Sequence, residues 1–345
     1  MKLNFKCMPQ GSLPYKDVES ALRMQIKLFE NIPYLPFLPL AAKNETLVHR
    51  IFSGVSAIHK KDKNYILESN ADVFKEKAKE LNEDFNNSSD LSKYITNSFF
   101  FDKYLQIIEK IKPKETVVSL LGPFTISQML KNDDVELFSD KLYRKFLIQL
   151  VCVKSLAYAN LIKSISPETK VIVMLEEPEL KMFGSVKREN DDINLDVAIG
   201  LFTKIVDKLH ANDVIAGIQS FGKCDWQIAI DSGFDIISFD AYNNPNNLNI
   251  IASKVNAFLA AGGYINWGFV PVTNEDVIKN LKADDLYNKL IKTFENLINE
   301  GVTAKLVYNN STISTLGNME KLPIMFAEKA LMLSNQVAKK IPTLQ

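Results

Sequence analysis

The chain has 345 residues, with 41 basic and 41 acidic side chains and 46% hydrophobic residues. This is the composition of an ordinary globular protein, and the length allows one large α/β barrel or two average domains. Because the net charge is zero and no basic stripe carries interleaved aromatic residues, nucleic acid and anionic membranes are not expected as partners.

The N-terminal residues and the cysteines predict a cytoplasmic protein. The opening MKLNFKCMPQ lacks the apolar core of a signal peptide, and no later run looks long enough to span a membrane. Cys7, Cys152 and Cys224 are odd in number and far apart, so they form neither a CxxC pair nor a disulfide framework. We therefore expect a reducing, cytoplasmic environment.

Short apolar runs rich in Val, Ile and Phe recur along the chain, most of them bounded by turn residues. Runs of this kind are typical of strands that are buried on both faces. In chain order they are LNFKCMPQGS, IPYLPFLPL, ETVVSLLGPF, KVIVMLEEPEL, DVIAGIQSFG, FDIISFDAY, GYINWGFVP and AKLVYNNS.

Helix-like stretches separate most of these runs, and some carry start signals such as Thr273 before an acidic first turn. Strands that alternate with helices imply a parallel sheet with right-handed crossovers. Eight such units predict an α/β fold, a closed (β/α)8 TIM barrel of about 250 residues plus insertions, as a single domain over residues 1–345. The predicted helices cover residues 17–30, 135–165 (as two helices), 196–210, 274–299 and 319–339.

The surplus length lies in residues 42–112, between the second and third predicted strands. This segment contains a predicted hairpin, VSAIHKKDKNYIL, with Lys-Asp-Lys-Asn at its turn. We predict that it forms a lid or flap over one end of the barrel, or else a surface decoration that never meets substrate. Two Rossmann-like domains are the other arrangement, but no GxGxxG phosphate loop supports them.

Polar or aromatic residues end most of the apolar runs. In a barrel of this kind, chemistry collects where the strands end and the next loops begin. Polar groups left uncompensated there would be costly, so a ligand-holding mouth explains them best. The segments are residues 10–14, 122–125, 176–179, 219–226, 240–243, 266–268 and 309–312.

Two adjacent glutamates end the fourth run and need separate interpretation. Glu176 and Glu177 point to opposite faces of a strand, so we expect only one of them in the mouth. A carboxylate at a strand end could instead cap the next helix or pair with a lysine.

Other candidates also have structural alternatives. Asp240 follows a strongly apolar strand and could either act in the site or begin a loop. Trp226 could contact ligand or anchor its loop. Gly11 and Ser12 could cradle an anionic group with backbone N–H donors, or form a plain turn before the first helix.

The ordered motifs resemble a known superfamily. GSLP, IPYLPFLPL, LLGPFT, EEPELKMFGS, GKCDW, ISFDAYN and INWGFVP occur in the order found in cobalamin-independent methionine synthase and uroporphyrinogen decarboxylase. The chain is most similar to the short, single-barrel methionine-synthase-like branch, from about residue 11 to residue 317. The resemblance implies the same barrel as the strand count.

In the methyltransferase branch, zinc converts a substrate thiol into a thiolate that attacks a methyl group carried by a folate or a corrinoid. The resemblance places the four zinc-ligand positions on Gln219, Phe221, Asp240 and a position near Thr312. An amide, a phenyl ring and a hydroxyl are poor or impossible zinc donors. The sequence therefore predicts a degenerate zinc site with no metal ligand and no bound cofactor, a weakly bound zinc being the alternative.

Other soft donors do not rebuild this site. A third ligand beside Asp240 and Cys224 is missing, and the remaining donors lie in the first strand, before the fifth strand or in the inserted segment. These are Cys7, His210, His49 and His59.

Three functions remain open. The first is an enzyme without zinc, in which Glu177 and Asp240 act as acid, base or charge-stabilising groups. We do not expect a tetrapyrrole substrate for this enzyme. The carboxylates of a tetrapyrrole would favour basic residues near the mouth, and only Lys187 and Arg188 follow the fourth strand. The second is a methyltransferase that uses a folate or corrinoid donor as co-substrate. The third is a non-catalytic protein that binds a pterin, a corrinoid or an amino acid.

In each case the expected partner is a small molecule. The residues predicted to contact it share a place at or beside the strand ends. They are Gly11, Ser12, Gln219, Phe221, Asp225, Trp226, Tyr242, Trp267, Asn309 and Thr312.

Overall fold

A parallel sheet organises the chain. The computed structural model describes residues 2–29, 31–62, 64–87, 90–96, 98–130, 140–183 and 195–344. Over these residues seven strands form one all-parallel sheet in the order β1-β4-β5-β6-β7-β8-β9. They are β1 (Tyr34–Leu35), β4 (Glu115–Leu121), β5 (Lys170–Glu176), β6 (Ile215–Ser220), β7 (Ile236–Asp240), β8 (Tyr264–Pro271) and β9 (Ser311–Leu316).

The N-terminal segment contacts both edges of this sheet. Cys7 forms a parallel bridge with Ile313 of β9, and Ser12 forms one with Phe37, two residues beyond β1. Because one short segment reaches the first and the last strand, the sheet is curled. The α/β class and the parallel sheet are confirmed.

Helices follow most of the strands, as the alternating pattern predicts. Their buried faces have helical spacing, for example Leu286, Leu290, Phe294 and Leu297 in the helix that covers β8. The helices are α1 (Val18–Phe29), α2 (Leu47–Phe52), α3 (Ala71–Asn87), α4 (Phe99–Ile111), α5 (Pro123–Met129), α6 (Lys141–Ile165), α7 (Leu195–His210), α8 (Gln227–Asp231), α9 (Ala252–Ala260), α10 (Glu275–Asn280), α11 (Ala283–Asn299), α12 (Ala304–Asn309) and α13 (Ile324–Lys340).

The predicted hairpin is present in residues 42–112. β2 (Ile58–Lys61) pairs antiparallel with β3 (Asn64–Leu67). In the same segment α2 packs against β4, while α3 and α4 pack against α6. The helices of this segment therefore lie along the side of the sheet, against β4 and α6.

The helix α6 is long and apolar enough to cross a membrane, but most of that apolar window is buried inside the protein. It packs against α3, α4, α5, α7 and the strands β4 and β5. Such burial is typical of the core helix of a soluble protein.

Several predicted elements need correction. Residues 304–309 of AKLVYNNS are helix α12, and the strand begins only at Ser311. In that strand, STISTL, four of the six residues are Ser or Thr, so a search for apolar runs places it too early. Lys141–Ile165 form one continuous helix, where two were expected over residues 135–165, and residues 131–139 lie outside the described residues.

The last two predicted helices also differ from the structure. Residues 274–299 form two helices, α10 and α11, and α13 begins at Ile324 rather than at residue 319. Asn274, not Thr273, caps α10, because its side chain accepts the backbone N–H of Asp276.

Candidate functional site

A continuous row of polar side chains crosses the inner face of the curled sheet. The strand register pairs Glu176 with Gln219, Gln219 with Ser238, Ser238 with Asn266, and Asn266 with Thr312. Residues opposite each other on neighbouring strands point to the same face. All five are buried, although barrel interiors are usually filled by branched apolar side chains.

Asn266 is hydrogen-bonded to both neighbouring strands and approaches the N-terminal segment, so its side chain lies on the inner face of the sheet. Its Nδ2 donates to Ser238 Oγ at 2.8 Å and to Ser314 Oγ at 3.0 Å, with Gln10 Oε1 at 3.3 Å. Thr312 Oγ1 donates to Asn266 Oδ1 at 3.0 Å. Contacts from the two neighbouring strands and the N-terminal segment therefore converge on one amide.

Two oxygens of the row have no hydrogen-bond partner among the described residues. They are Oε1 of Glu176 and Oε1 of Gln219, both buried. Unpaired buried acceptors cost about 1–3 kcal/mol each, so an unmet pair on adjacent strands is unusual. Both atoms are acceptors, and both belong to side chains on the inner face. The arrangement suits a ligand group that donates N–H bonds or carries positive charge.

Glu176 can change protonation state near neutral pH. Burial raises the pKa of its carboxyl group from 4.5 to about 7, and the charge of Arg50 and the Ser119 hydroxyl oppose this rise. A carboxyl group with such a pKa can accept or release a proton under physiological conditions.

Glu177, which follows it, is committed to a helix. Its two oxygens accept the backbone N–H groups of Phe124 at 2.9 Å and Thr125 at 2.7 Å, and the Thr125 hydroxyl as well. Gly122 precedes α5, and a Cβ there would collide with the Glu177 carboxyl group. Burial raises the pKa of Glu177 to about 8, opposed by those hydrogen bonds. Glu177 therefore caps the helix α5, which is the alternative given for a strand-end carboxylate. Glu176 is the glutamate that points to the inner face of the sheet.

Asp240 lies on the inner face, two residues beyond Ser238 and nearer the carboxyl ends of the strands. Its Oδ1 accepts the backbone N–H of Asn243 at 2.9 Å, and its Oδ2 accepts Asn243 Nδ2 at 2.8 Å. Asp240 is 8% exposed. It therefore borders the row while holding the loop after β7.

Tyr242 lies in that loop and is held by α11. Lys289 Nζ donates to the Tyr242 carbonyl at 2.9 Å and lies 3.3 Å from its ring centroid. Burial lowers the pKa of Lys289, and the charge of Asp240 opposes that effect. A half-buried ring is thus fixed above the end of β7.

Gly11 and Ser12 pack against the loop that follows β9. Ser12 N–H donates to Asn318 Oδ1 at 3.0 Å, and its hydroxyl bonds Glu320. A Cβ on Gly11, whose φ is +82°, would lie 2.7 Å from the Gly317 carbonyl oxygen. The Ser12 backbone donor is therefore occupied within the protein, and both residues pack against the loop after β9.

Phe221 reaches across the mouth from the end of β6. A Cβ on Gly317 would lie 4.0 Å from its Cζ, so the half-buried ring approaches the loop after β9. In the same β6 loop, Cys224 Sγ donates to Ser220 Oγ at 3.2 Å, and burial raises its pKa to about 11. Asp225 accepts the backbone N–H of Gln227 at 3.0 Å.

Three predicted residues lie away from the inner face. Trp226 and Trp267 both pack against Phe239, and Trp267 also stacks on Phe294 of α11, so they lie behind the sheet. Asn309 precedes β9 and exchanges hydrogen bonds with the backbone of Leu344. Because residues 304–309 are helix, Asn309 lies at the amino ends of the parallel strands. Asp240 lies at the other end of the sheet, where the strands have their carboxyl ends.

The residues at the four zinc positions do not fit zinc. In the described part of the chain, no three His, Cys, Asp or Glu side chains come together as a metal site. Asp240 is engaged by Asn243, and Thr312 by Asn266. The histidines bond elsewhere, His49 to Tyr65, His59 to Glu68 and His210 to Asp235. Lys187 and Arg188 lie outside the described residues.

Of the row, sequence reasoning chose Gln219 and Thr312 as contact residues. It noted Glu176 and Asn266 only as members of strand-end segments, and it passed over Ser238. A usable signal existed, because polar residues interrupt IISFD and YINWG at positions with the two-residue period of the inner face. The residues not proposed as site residues are Gln10, Glu176, Ser238, Asn266 and Ser314.

Comparisons with known proteins find similarity of fold. The chain matches a methyltransferase from Methanosarcina mazei with a TM-score of 0.54 and 12% identity, over 96% of this chain and 94% of that one. It also matches a candidate vitamin-B12-independent methionine synthase from Listeria monocytogenes, with a TM-score of 0.61 and 8% identity, over 99% of both chains. No family model and no curated protein sequence matches.

Proposed function

We propose that the chain is a methionine-synthase-like TIM-barrel enzyme, related to methyltransferases, that binds a small molecule at the carboxyl-end mouth without zinc. The fold similarity to a methyltransferase and to a candidate methionine synthase supports this class. In this proposal the N-terminal segment supplies the strand that is first in chain order and completes a closed (β/α)8 barrel. Residues 42–112 are then an insertion between the second and third strands of that barrel.

The observation that carries the proposal is the pair of unpaired oxygens on Glu176 and Gln219. A ligand with a primary amine or another N–H donor would satisfy both at once. Asp240 lies further out on the same face, and the Phe221 ring would exclude water from the reacting group. A small polar ligand, with Phe221 above it, is the substrate class that these groups favour.

Methyl transfer to an N–H, O–H or S–H acceptor breaks the bond between the methyl group and its carrier, which keeps the electron pair, and removes one proton from the acceptor. A folate carrier takes up a proton at its nitrogen, whereas a corrinoid carrier does not. Glu176 is the group suited to take the proton of the acceptor, because its carboxyl group titrates near neutral pH and lies in the row. This assigns to Glu176 the acid–base role expected from sequence for Glu177. The methyl donor would be a separate co-substrate, for which a folate and a corrinoid are the two candidates that the resemblance suggests.

A metal-independent decarboxylase is the second candidate. Loss of carbon dioxide leaves a carbanion that must be protonated, and a carboxyl group that is protonated near pH 7 can supply that proton. A purely binding protein is the third, and it would show ligand affinity without turnover.

The test uses thermal stability with paired ligands. Small amino acids, including thiol-bearing ones, are compared with their N-acetylated forms on wild-type protein, Glu176→Gln and the matched control Glu179→Gln, a carboxylate beside the site. We expect the free amine to raise the melting temperature of wild type and control but not of Glu176→Gln. Equal effects of free and acetylated forms, or no effect of any, would contradict the proposal.

Turnover is then measured by mass spectrometry with methyltetrahydrofolate or methylcobalamin as donor. A mass gain of one methyl group on the bound ligand supports methyl transfer, and loss of carbon dioxide supports the second candidate. Binding with neither change supports the third.

A further inference from the structure

A buried arginine fills a gap in the sheet beside Glu176. β1 pairs with β4 only at Tyr34 and Leu35, because Pro36 follows and has no N–H for a ladder bond. The sheet splits at this point and leaves carbonyl groups on both strands without ladder partners.

Arg50 supplies the missing donors. Its Nη1 donates to the carbonyls of Leu35 and Ser119, each at 3.2 Å, and its Nη2 donates to the Pro36 carbonyl at 2.9 Å. The guanidinium also lies 4.3 Å from the ring centroid of Phe37. One planar, charged group thus replaces the hydrogen bonds of the split ladder.

Arg50 belongs to α2, which the inserted segment contributes. Lys154 on α6 fixes the end of this helix, because its Nζ donates to the carbonyls of Arg50 and Ser53 and to that of Tyr94. An amine donor at the last carbonyls of a helix satisfies groups that have no partner within the helix. Burial lowers the pKa of Lys154 to about 7, so these hydrogen bonds rather than a full positive charge fix the helix end. Residues 42–112 are therefore held to α6 by Lys154, and the Arg50 side chain is the part of this segment that reaches the wall of the site.

The charge of Arg50 acts on Glu176. Arg50 is the charged group that opposes the effect of burial on Glu176, although the two form no ion pair within 4.0 Å among the described residues. Around Glu176 stand Ser119 from β4 and Gln219 from β6. Around Arg50 stand Glu45, Tyr104, Tyr158 and Glu176 itself, which oppose the lowering of its pKa by burial.

We propose that Arg50 is a positioning residue of the candidate site: it closes the wall between β1 and β4, and it holds a positive charge near Glu176 through Ser119, whose carbonyl accepts Arg50 Nη1 and whose side chain bonds Glu176. The inference rests on the proposed function, since it assigns to residues 42–112 a part in building that site. It gives the insertion a role in electrostatics that a lid or a surface decoration would not have.

The experiment separates charge from hydrogen bonding. Arg50→Lys keeps the charge but loses the planar fork, Arg50→Met loses both, and Arg23→Met on the exposed face of α1 is the matched control. The protonation midpoint of Glu176 is measured without ligand by carbon-13 NMR of carboxyl-labelled glutamate, with the resonance identified by its absence in Glu176→Gln.

We expect the midpoint to rise by about one pH unit or more in Arg50→Met and to stay within a few tenths of a unit in Arg50→Lys and Arg23→Met. An unchanged midpoint in Arg50→Met would overturn the proposal. A rise in Arg50→Lys as large as in Arg50→Met would do the same, because the charge would then not be responsible.

A second variant covers the case in which Arg50→Met does not fold. At pH 8, Glu176→Gln should raise the melting temperature by more in the Arg50→Met background than in wild type, because a buried carboxylate costs more when the neighbouring positive charge is absent. An equal gain in the two backgrounds would overturn the proposal. These outcomes do not depend on whether any ligand binds, so they are distinguishable from failure of the proposed function.

Discussion

Glu176 and Glu177 are consecutive residues whose carboxyl groups serve different parts of the molecule. Glu176 points to the inner face of the sheet with one oxygen unpaired, whereas both oxygens of Glu177 accept hydrogen bonds from the start of α5. The alternation of side chains along β5 separates them. One glutamate is thus available to a ligand, and its neighbour joins β5 to α5.

The capping role of Glu177 predicts a loss of stability. Glu177→Gln keeps one acceptor oxygen but loses the second, which leaves a buried backbone N–H of α5 unpaired, so we expect destabilisation by about 1–3 kcal/mol. Urea unfolding measures the change, and Glu179→Gln should stay within about 0.5 kcal/mol of wild type. Hydrogen exchange should accelerate at the Phe124 and Thr125 amides. A wild-type exchange rate at both amides would contradict the cap.

The protonation of Glu176 predicts a pH-dependent stability difference. Its pKa is raised from 4.5 to about 7 on folding, so between these values the folded state binds more protons than the unfolded state. Stability from this group therefore falls as pH rises from 4.5 to 7 and is constant above. Relative to Glu176→Gln, wild type should lose up to about 3 kcal/mol over this window. Parallel curves for the two proteins in urea unfolding at pH 4.5, 5.5, 6.5 and 7.5 would contradict the prediction.

The central amide of the row predicts a large effect of an apolar replacement. Asn266→Leu has similar volume but leaves the partners of the amide, among them Thr312 and Ser314, without their bonds. We expect a loss of about 3 kcal/mol in the free energy of unfolding, because buried polar groups left unpaired are costly. The control Asn296→Ala, at a surface contact with Asn246, should change stability by about 0.5 kcal/mol or less. Similar losses in the two variants would show that the row is not a network.

The donor set of the mouth predicts weak binding of zinc. Gln219, Phe221, Asp240 and Thr312 offer one carboxylate, which Asn243 already engages. We expect well under one zinc per chain in dialysed protein by elemental analysis, and no change in melting temperature with equimolar zinc. One tightly held zinc per chain would instead restore thiolate formation on the metal as the mechanism.

Much of the architecture can be read from local sequence. KVIVMLE predicts a buried strand because apolar, β-branched residues run through it, and it is a strand in the sheet. FDIISFD predicts one from Ile236, Ile237 and Phe239 although Ser238 interrupts the run, and its residues 236–240 are β7. The hairpin around Lys61 and Asn64 follows from polar turn residues between alternating segments. The prediction fails at β9 because its inner residues, Thr312 and Ser314, are polar and reduce the apolar signal on which strand recognition depends.

The sequence alone determined the order of strands and helices and the presence of polar groups at the strand ends, because both depend on residue type and spacing within a few neighbours. Only the tertiary structure decided which of those groups meet. Strand register brings Glu176 beside Gln219, the proline that follows β1 opens the gap that Arg50 fills, and the start of α5 donates hydrogen bonds to Glu177. Such relations join residues far apart in the chain, and local spacing carries no record of them.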